Sequence, residues 1–270
     1  MSESVRAVDR ALDVLMCFNR QTPELSMTQI AEQIGIHKST VHRLLATLEH
    51  KRFVQRDPET GMYRLGIRLL QMAYLTLEQN DLRRLATPFM QRLGQQFQEN
   101  IHLAMLDDSE VVYLSIIESP QRVKLAAAVG QRLPAYATAS GKAILAFLPS
   151  EMVQRILDQG MPQLTPRTQT SPNAFFEDIH SIRERGFAIS EQEFEDDINA
   201  VAAPVFDPEG QPIASIAIAS PAFRLTHERI MQIGPIVVAT TREISQEIKM
   251  AAIPQANSVV DVPVAIGKSR

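Results

Sequence analysis

The sequence has little of what an extracellular or membrane protein needs. A single cysteine, Cys17, occurs in 270 residues, which excludes an internal disulfide. No stretch reaches the run of about 18 apolar residues that a membrane-spanning helix requires, and residues 1–4 do not begin a basic-then-apolar secretion signal. We therefore expect a cytoplasmic protein with no membrane partner, in which Cys17 is a small buried side chain.

The sequence also lacks the residue spacings of a metal site or a catalytic centre. Its six histidines form neither an HxxxH nor an HExxH pattern, and one cysteine cannot supply a thiolate zinc site. The segment Ser140-Gly141-Lys142 is not a phosphate-binding loop, because position 136 is tyrosine where that motif needs glycine, and Ala143 follows the lysine. We therefore expect no cofactor, no metal and no enzymatic activity.

Length and composition are typical of a globular protein with two domains. Hydrophobic residues make up 45% of the chain and charged residues 21%, which is the usual balance of a soluble protein. A chain of 270 residues can form one small domain and one of roughly 170 residues with its own core. The formal net charge is −4, so any surface that binds nucleic acid must be locally basic.

The most informative segment runs from Leu25 to Leu48 and predicts two short amphipathic helices joined at Gly35. In the first helix, apolar residues recur at i, i+3, i+4 and i+7, and Ser26 with Gln29 has the pattern of a capping box. Gly35 can adopt the left-handed conformation that ends a helix. The second helix repeats the apolar spacing on one side only, as expected of a helix that lies in a DNA groove.

The opposite flank of the second helix carries hydroxyl and basic side chains, which suit contacts to phosphates and base edges. The DNA contacts expected from this flank are Lys38, Ser39, Thr40, His42 and Arg43, with Thr40 nearest the apolar stripe. Periodicity alone leaves open an ordinary helical hairpin with a solvated face.

The residues that follow favour the DNA-binding interpretation. Residues 53–56 and 62–65 predict two strands joined by a turn at 57–61, a wing from which Arg56 and Arg64 could reach the DNA backbone. Between residues 36 and 68 there are seven Lys or Arg and three acidic residues, a local net charge of +4. An upstream helix would complete a three-helix core with Val8, Ala11, Leu12, Leu15 and Phe18.

The remaining chain predicts a linker helix and a larger α+β domain. A helix from about 67 to 80 would be marginal alone, so we expect it to pair with its copy in a second subunit. Strands are predicted at 101–106, 111–117, 123–129, 187–190, 200–206 and 213–220, with helices from 82 and at 140–148, 173–185 and 226–250. Gly234-Pro235 should kink or interrupt the last helix. The predicted domains are 1–65, 66–81 and 82–250, followed by a flexible tail at 251–270.

Several motifs, in the same order, resemble those of the IclR-type bacterial transcriptional regulators. They are Leu25–Leu48, Phe53–Gly66, Tyr136–Ala143 and Ala200–Asp207, and the likeness covers about residues 5 to 250. The resemblance implies an N-terminal winged helix-turn-helix domain and a C-terminal GAF-like antiparallel sheet flanked by helices. It also implies operator DNA and a small-molecule effector as partners, and a dimer that pairs into a tetramer.

The resemblance further implies an effector pocket, and this chain departs from the family there. The implied positions are Ala139, Ser140, Ser190, Glu193, Asp197, Ala200, Ala217 and Ala219. Some relatives have hydroxyl or thiol side chains at the last three positions, and relatives usually have glycine at position 197, where a carboxylate would repel an anionic ligand. We therefore expect an effector that is bulkier and more apolar than a two- or three-carbon acid, such as an aromatic acid or a sugar derivative.

Two segments of this pocket also have simpler interpretations. Ser140 could simply cap a helix, or the free backbone N–H groups beside it could hold a carboxylate. The acidic run Glu191–Asp197 is most simply a solvated loop, although a paired-carboxylate acid/base site is conceivable.

The sequence as a whole predicts a ligand-responsive transcription factor that binds a pseudo-palindromic operator. One alternative is an enzyme that uses its winged helix only for dimerisation. Another is a DNA-binding protein whose larger domain contacts a protein partner.

Overall fold

The computed structural model describes residues 5–19, 21–78 and 81–252, which form two compact units divided between Asn80 and Asp81. The tail predicted at 251–270 lies outside the described residues beyond position 252. The first unit contains helices α1 (Arg6–Met16), α2 (Met27–Ile34), α3 (Lys38–His50) and α4 (Ile67–Glu78). Strands β1 (Glu24–Leu25), β2 (Val54–Arg56) and β3 (Tyr63–Leu65) form an antiparallel sheet in the order β1-β3-β2.

The helix boundaries around α2 and α3 confirm the sequence signals. Ser26 caps α2, and its side chain and that of Gln29 form both bonds of the capping box. Gly35 ends α2 with φ of 65°, the left-handed conformation in which glycine has no steric cost. The core of the unit is built from the inward faces of α1–α3 and the small sheet, with Val14, Leu25, Ile30, Val41, Leu45 and Val54 fully buried.

The predicted core face of α1 is partly wrong. Ala11 and Leu15 pack against the core as expected, but Val8 and Leu12 are 54% and 52% exposed, and Val14 takes the central position. Helix α1 therefore has two apolar faces. The residues predicted from their helical spacing belong partly to the buried face and partly to the exposed one. The outer face is apolar and solvent-exposed, and consists of Val5, Val8, Leu12 and Met16.

Cys17 follows α1 and is buried, as its apolar neighbours predict. Its Sγ donates a weak hydrogen bond to the Asp13 carbonyl oxygen at 3.3 Å. Burial raises the pKa of the thiol, and the charge of Asp13 adds to this effect. The thiol is therefore a poor nucleophile at neutral pH.

The second unit is built on one six-stranded antiparallel sheet, which confirms the predicted α+β class. Its strands are β4 (Asn100–Asp107), β5 (Glu110–Ile117), β6 (Arg132–Pro134), β7 (Ala188–Glu191), β8 (Ile198–Phe206) and β9 (Pro212–Pro221), in the order β6-β5-β4-β9-β8-β7. The helices are α5 (Asp81–Phe97), α6 (Ala139–Leu145), α7 (Ser150–Leu157), α8 (Pro172–Arg185) and α9 (His227–Ala252).

The two faces of this sheet carry side chains of different size. On the face that packs against α5 and α9, β8 and β9 present large aliphatic residues such as Val201, Val205, Ile216 and Ile218. On the other face, which packs against α6, α7 and α8, four alternate positions of the same strands are alanines: Ala200, Ala202, Ala217 and Ala219. Because alanine extends only to Cβ, this part of the face projects less far from the sheet than the aliphatic face does.

Two predicted elements differ from the structure. Residues 123–129 form no strand, and the third strand of the sheet is β6, because the longer segment is held by side chains from elsewhere in the chain. Helix α7 was not predicted. Helix α9 continues through Gly234 and Pro235, so the predicted interruption is wrong, while the alternative of a kink stays a prediction. Glycine at 234 avoids a clash, because a Cβ there would lie 2.5 Å from the ring of Phe187.

Replacing Gly141 by a residue with a Cβ should destabilise the protein. A Cβ at this position would overlap the backbone of Ala135, which cannot yield as a side chain can. We expect Gly141→Ala to lower the free energy of unfolding by about 1–3 kcal/mol, measured by urea denaturation. Gly94→Ala is the matched control, because its Cβ would come too close to a side-chain atom and not to backbone: Ile117 Cγ2, at 2.8 Å. Equal losses in the two variants would contradict the close backbone approach.

Candidate functional site

The polar flank of α3 is exposed while its apolar stripe is buried. Lys38, Ser39, His42 and Arg43 are exposed, and Thr40 at the edge of the stripe is half-buried. Val41, Leu45 and Leu48 hold the helix against the core from the opposite side. The burial of one stripe fixes the orientation of α3, so the flank stands outward on a rigid support.

The wing beside α3 is a short, well-defined hairpin. Asp57 Oδ1 accepts hydrogen bonds from the Glu59 and Thr60 N–H groups in its turn, and these bonds lower the pKa of the carboxyl group. Arg56 Nε donates to the Gly61 carbonyl oxygen at 3.4 Å, and its guanidinium lies 5.7 Å from the centre of the Tyr63 ring. Arg64 is exposed on β3, opposite Gln55. Both arginines are thus carried on one two-stranded ribbon.

The second unit encloses a cavity of about 220 Å³ on the alanine face of its sheet. The floor is formed by β4, β8 and β9, and one wall by residues 124–127 with Gln131 and Leu133. The opposite wall comes from the start of α6 and from the loop after β7. The lining side chains are His102, Tyr113, Lys124, Leu125, Ala126, Ala127, Gln131, Leu133, Thr138, Ala139, Ser140, Ser190, Phe194, Glu195, Ile198, Ala200, Ala217 and Ala219.

The structure brings six of the eight expected effector positions together at this cavity. They are Ala139, Ser140, Ser190, Ala200, Ala217 and Ala219. Strand register explains the grouping of Ala200 and Ala219, because these two residues lie opposite each other across the β8–β9 pair. Ser190 Oγ donates to the Ala137 carbonyl oxygen at 3.1 Å, which fixes its side chain beside the cavity.

Glu193 does not line the cavity, because it forms a buried ion cluster. Its Oε1 lies 2.6 Å from Lys142 Nζ, which is also 3.0 Å from Asp178 Oδ2. Burial raises the pKa of Glu193, although the charge of Lys142 acts in the opposite direction. Lys142 therefore joins α6 to α8 and to the loop after β7.

Asp197 also lies outside the cavity lining. Its φ of 61° is the left-handed conformation anticipated from the glycine usual in relatives. Its N–H donates to Gln192 Oε1, and its carbonyl oxygen accepts from the Ala222 N–H. The side chain is exposed and does not line the cavity, so any repulsion of an anionic ligand by Asp197 would act from outside the lining and stays a prediction.

The simple interpretation of Ser140 as a helix cap is wrong. Thr138 is the N-cap of α6, and its Oγ1 accepts a hydrogen bond from the Gly141 N–H at 3.1 Å. Ser140 is instead buried, and it lines the cavity from the first turn of α6.

Several residues that shape the cavity were missed from the sequence. Asn100 holds the 119–125 segment, because its Nδ2 donates to the Leu125 carbonyl oxygen and its Oδ1 accepts from the Ser119 N–H. The hydroxyls of Thr165 and Thr168 donate to the carbonyl oxygens of Gln192 and Glu193, at 2.6 and 2.7 Å. No local pattern marks these residues, because each acts on a segment distant in sequence.

His102 is the most unusual group in the cavity. It is 1% exposed, its ring centre lies 4.5 Å from that of Tyr113, and it stands opposite Ala217 across β4 and β9. Among the described residues, none forms a hydrogen bond with its Nε2. Burial lowers the pKa of His102 to about 4, so the imidazole is neutral at physiological pH. A histidine in the apolar strand pattern of 101–106 was the available sequence signal.

The lowered pKa of His102 predicts that acid destabilises the protein. An unfolded histidine has a pKa of about 6.5, so the unfolded chain binds an extra proton as pH falls from that value towards 4. This contribution to stability is present above the unfolded pKa and is lost below it. Between about pH 7 and pH 5 we expect His102 to account for roughly 2 kcal/mol of the loss.

Urea unfolding of wild type and His102→Leu at the two pH values measures this contribution. The variant should lose less stability on acidification. An identical pH dependence in both proteins would show that His102 titrates normally.

Within residues 5–19, 21–78 and 81–252, no group of three or more His, Cys, Asp or Glu side chains is placed to hold a metal ion. No described helix combines the length and apolar character needed to cross a membrane.

Two family models match successive parts of the chain. The model of the IclR helix-turn-helix domain matches residues 7–58. The model of the bacterial transcriptional regulator IclR C-terminal domain matches residues 74–246. The first match contains α3 and the second contains every residue that lines the cavity.

Known proteins with similar sequences and structures agree with these matches. The HTH-type transcriptional regulator XynR of Escherichia coli is 33% identical over 217 residues, covering 80% of this chain and 86% of the relative. An IclR transcriptional regulator from Alicyclobacillus acidocaldarius has a TM-score of 0.82 at 27% identity, covering 91% of this chain and 100% of that one. An IclR homologue from Microbacterium hydrocarbonoxydans, in complex with 4-hydroxybenzoate, has a TM-score of 0.78 at 25% identity, covering 90% and 99%.

Proposed function

The chain belongs to the IclR family of bacterial transcriptional regulators, and we propose that it binds operator DNA through α3 and the wing and responds to a small organic acid in the cavity. Its class is that of a DNA-binding regulator with a C-terminal effector-binding domain. The residues that contact DNA and effector, the effector itself and the oligomeric state are the proposed parts.

The exposed flank of α3 carries the DNA-binding proposal. A helix held by a buried stripe presents its side chains at fixed positions, which reading base edges in the major groove requires. Lys38, Ser39, Thr40, His42 and Arg43 are the proposed groove contacts. Arg56 and Arg64 on the wing are proposed to contact the flanking phosphates.

Self-association is proposed from the outer face of the first unit. The exposed apolar stripe of α1 continues along 11 residues of helix, and α4 exposes Ile67, Leu70 and Met72. Exposed apolar stripes of this kind mark interaction surfaces. A dimer formed through them would bind a two-fold symmetric operator, with half-sites spaced by the helical repeat of DNA.

The effector is proposed to be an aromatic or similarly bulky organic acid. The alanines at positions 200, 217 and 219 leave room above the sheet and offer no polar group to a compact acid. The complex of the Microbacterium homologue with 4-hydroxybenzoate supports the same ligand class. To act as a switch, the ligand must bind one arrangement of the regulator better than the other.

Neither alternative function is favoured. The matched relatives are transcriptional regulators, and an enzyme that used the winged helix only for dimerisation would have no need of a basic, exposed α3 flank. A protein partner for the larger domain would leave its cavity without a role.

Replacing Arg43 tests the proposed contact between α3 and DNA. We expect Arg43→Ala to weaken binding to the operator by about 1–3 kcal/mol, because a bidentate arginine contact to guanine is lost. Fluorescence anisotropy with a labelled operator fragment at several salt concentrations is the measurement. Arg155→Ala on α7 is the matched control and should bind DNA as wild type does. An unchanged affinity of Arg43→Ala, or weak salt dependence of the wild type, would contradict the assignment.

The effector class is tested by adding small acids to the protein–operator complex. We expect benzoate or a ring-substituted benzoate to change operator affinity at least about fivefold, as a coupling energy near 1 kcal/mol implies. Calorimetry on the free protein should show binding of the same acid. Tight binding of glyoxylate or pyruvate alone would contradict the proposed class and leave the regulatory function intact.

A further inference from the structure

We infer that Lys142 controls access to the cavity, because it holds a short segment over the cavity as a cover that can open. This cavity cover consists of residues 192–197, between β7 and β8. Lys142 does not line the cavity and reaches the cover through Glu193, so it acts as a positioning residue. The inference rests on the proposed effector role of the cavity and adds the route by which a ligand enters it.

The cavity cover lies between the cavity and solvent. Phe194 and Glu195 line the cavity. Phe194 is half-buried and packs against the core on the alanine side of the sheet, whereas Glu195, Asp196 and Asp197 are exposed. Because the cover is a single stretch of chain, an outward movement of these residues would open this wall without moving a strand or a helix.

Both ends of the cavity cover have a backbone conformation that suits a hinge. Gln192 and Asp197 have φ of 62° and 61°, in the left-handed region that is disfavoured for residues with a Cβ. The Gln192 N–H donates to the Ile198 carbonyl oxygen at 2.9 Å, so the pairing of β7 with β8 extends to the base of the cover. A change in φ at the two ends can therefore swing the cover and relieve local strain while the sheet stays intact.

Three polar side chains from other segments hold the cavity cover closed. Lys142 Nζ lies 2.6 Å from Glu193 Oε1. The Thr168 hydroxyl donates to the Glu193 carbonyl oxygen at 2.7 Å, and the Thr165 hydroxyl donates to the Gln192 carbonyl oxygen at 2.6 Å. Two of these three contacts meet at Glu193. Contacts so concentrated can break together in a local opening that leaves the rest of the unit folded.

The ion cluster allows this opening without leaving a buried charge unpaired. The Lys142 side chain is 4% exposed, and an ammonium group without a partner at such a site would be costly. Lys142 Nζ also lies 3.0 Å from Asp178 Oδ2 on α8. The lysine therefore keeps a carboxylate partner when Glu193 moves into solvent, where water hydrates its charge. The pair between Lys142 and Glu193 can thus break and re-form, as a cover that opens and closes requires.

A cysteine placed beneath the cavity cover tests the inference on the full-length protein without any ligand. Ser140→Cys is nearly isosteric, and Ser140 lines the cavity at 3% exposure. Iodoacetamide alkylates accessible thiolates, and peptide mass spectrometry follows the reaction at position 140. We expect Ser140→Cys to react at least about tenfold more slowly than His180→Cys on the exposed side of α8, because its reaction must wait for a local opening.

Glu193→Gln tests the connection to Lys142, because it removes the charge from the cover and leaves Lys142 paired with Asp178. Alkylation of Ser140→Cys should become about tenfold faster, as expected when a charge-assisted hydrogen bond becomes a neutral one. Thr168→Val removes the second contact to Glu193 and should act in the same direction; it carries the test if Glu193→Gln fails to fold. Asp178→Asn is the matched control, because it removes the same charge from α8 and should leave the rate unchanged.

Val201→Cys separates opening of the cavity cover from unfolding of the whole unit. Val201 is fully buried on the opposite face of the sheet, so its reaction with iodoacetamide should not respond to Glu193→Gln. Three results would overturn the inference. They are reaction of Ser140→Cys as fast as that of His180→Cys, no acceleration by either Glu193→Gln or Thr168→Val, and equal acceleration at Val201→Cys and Ser140→Cys.

Operator affinity separates a failure of this inference from a failure of the proposed function. If alkylation gives any of the three contrary results while an added small acid shifts operator binding, the regulatory function stands and only the cavity cover is wrong. If alkylation behaves as expected while no acid shifts operator binding, the cover stands and the effector role fails.

Discussion

The architecture of the larger unit depends on a difference in side-chain size between the two faces of its sheet. Valine and isoleucine on one face pack directly against α5 and α9 and form a solid core. Alanines at positions 200, 202, 217 and 219 of the same strands extend only to Cβ, and three of them, Ala200, Ala217 and Ala219, line the cavity on the other face. Successive side chains of a strand point to opposite faces of the sheet. A single stretch such as 200–205 therefore contributes both to the core on one face and to the cavity on the other. The cavity is thus a product of the same residues that stabilise the fold.

The walls of the cavity are held by contacts between segments far apart in sequence. Asn100 fixes the 119–125 segment, and the hydroxyls of Thr165 and Thr168 fix the loop after β7. Lys142 adds the buried ion cluster with Glu193 and Asp178. Removing Lys142 would leave the largely buried carboxylate of Glu193 without its cation, so the lysine is the central member of the cluster. A phosphate-binding loop would use the lysine of Ser140-Gly141-Lys142 to bind its ligand. In this protein Lys142 instead forms the ion pairs that join these segments.

Local signals accounted for much of the fold, and long-range contacts accounted for what was missed. The capping box at Ser26, the left-handed Gly35 and the strands at 200–206 and 213–220 were predicted from neighbouring residues, and each was confirmed. The strand expected at 123–129 was wrong because tertiary contacts to its backbone override β propensity there. Family resemblance supplied the alanine positions of the cavity but not His102, whose place in the lining appears only once β4 is paired with β9.

The burial of Cys17 has a practical consequence for following this protein in action. The chain has no other sulfhydryl, and this one is shielded from solvent by the core of the first unit. Maleimide reagents react with accessible thiolates, so the native protein resists them while a cysteine introduced on its surface accepts a dye. A fluorophore can therefore be attached at one chosen position, without first removing the native residue, to report the motion of either unit in real time.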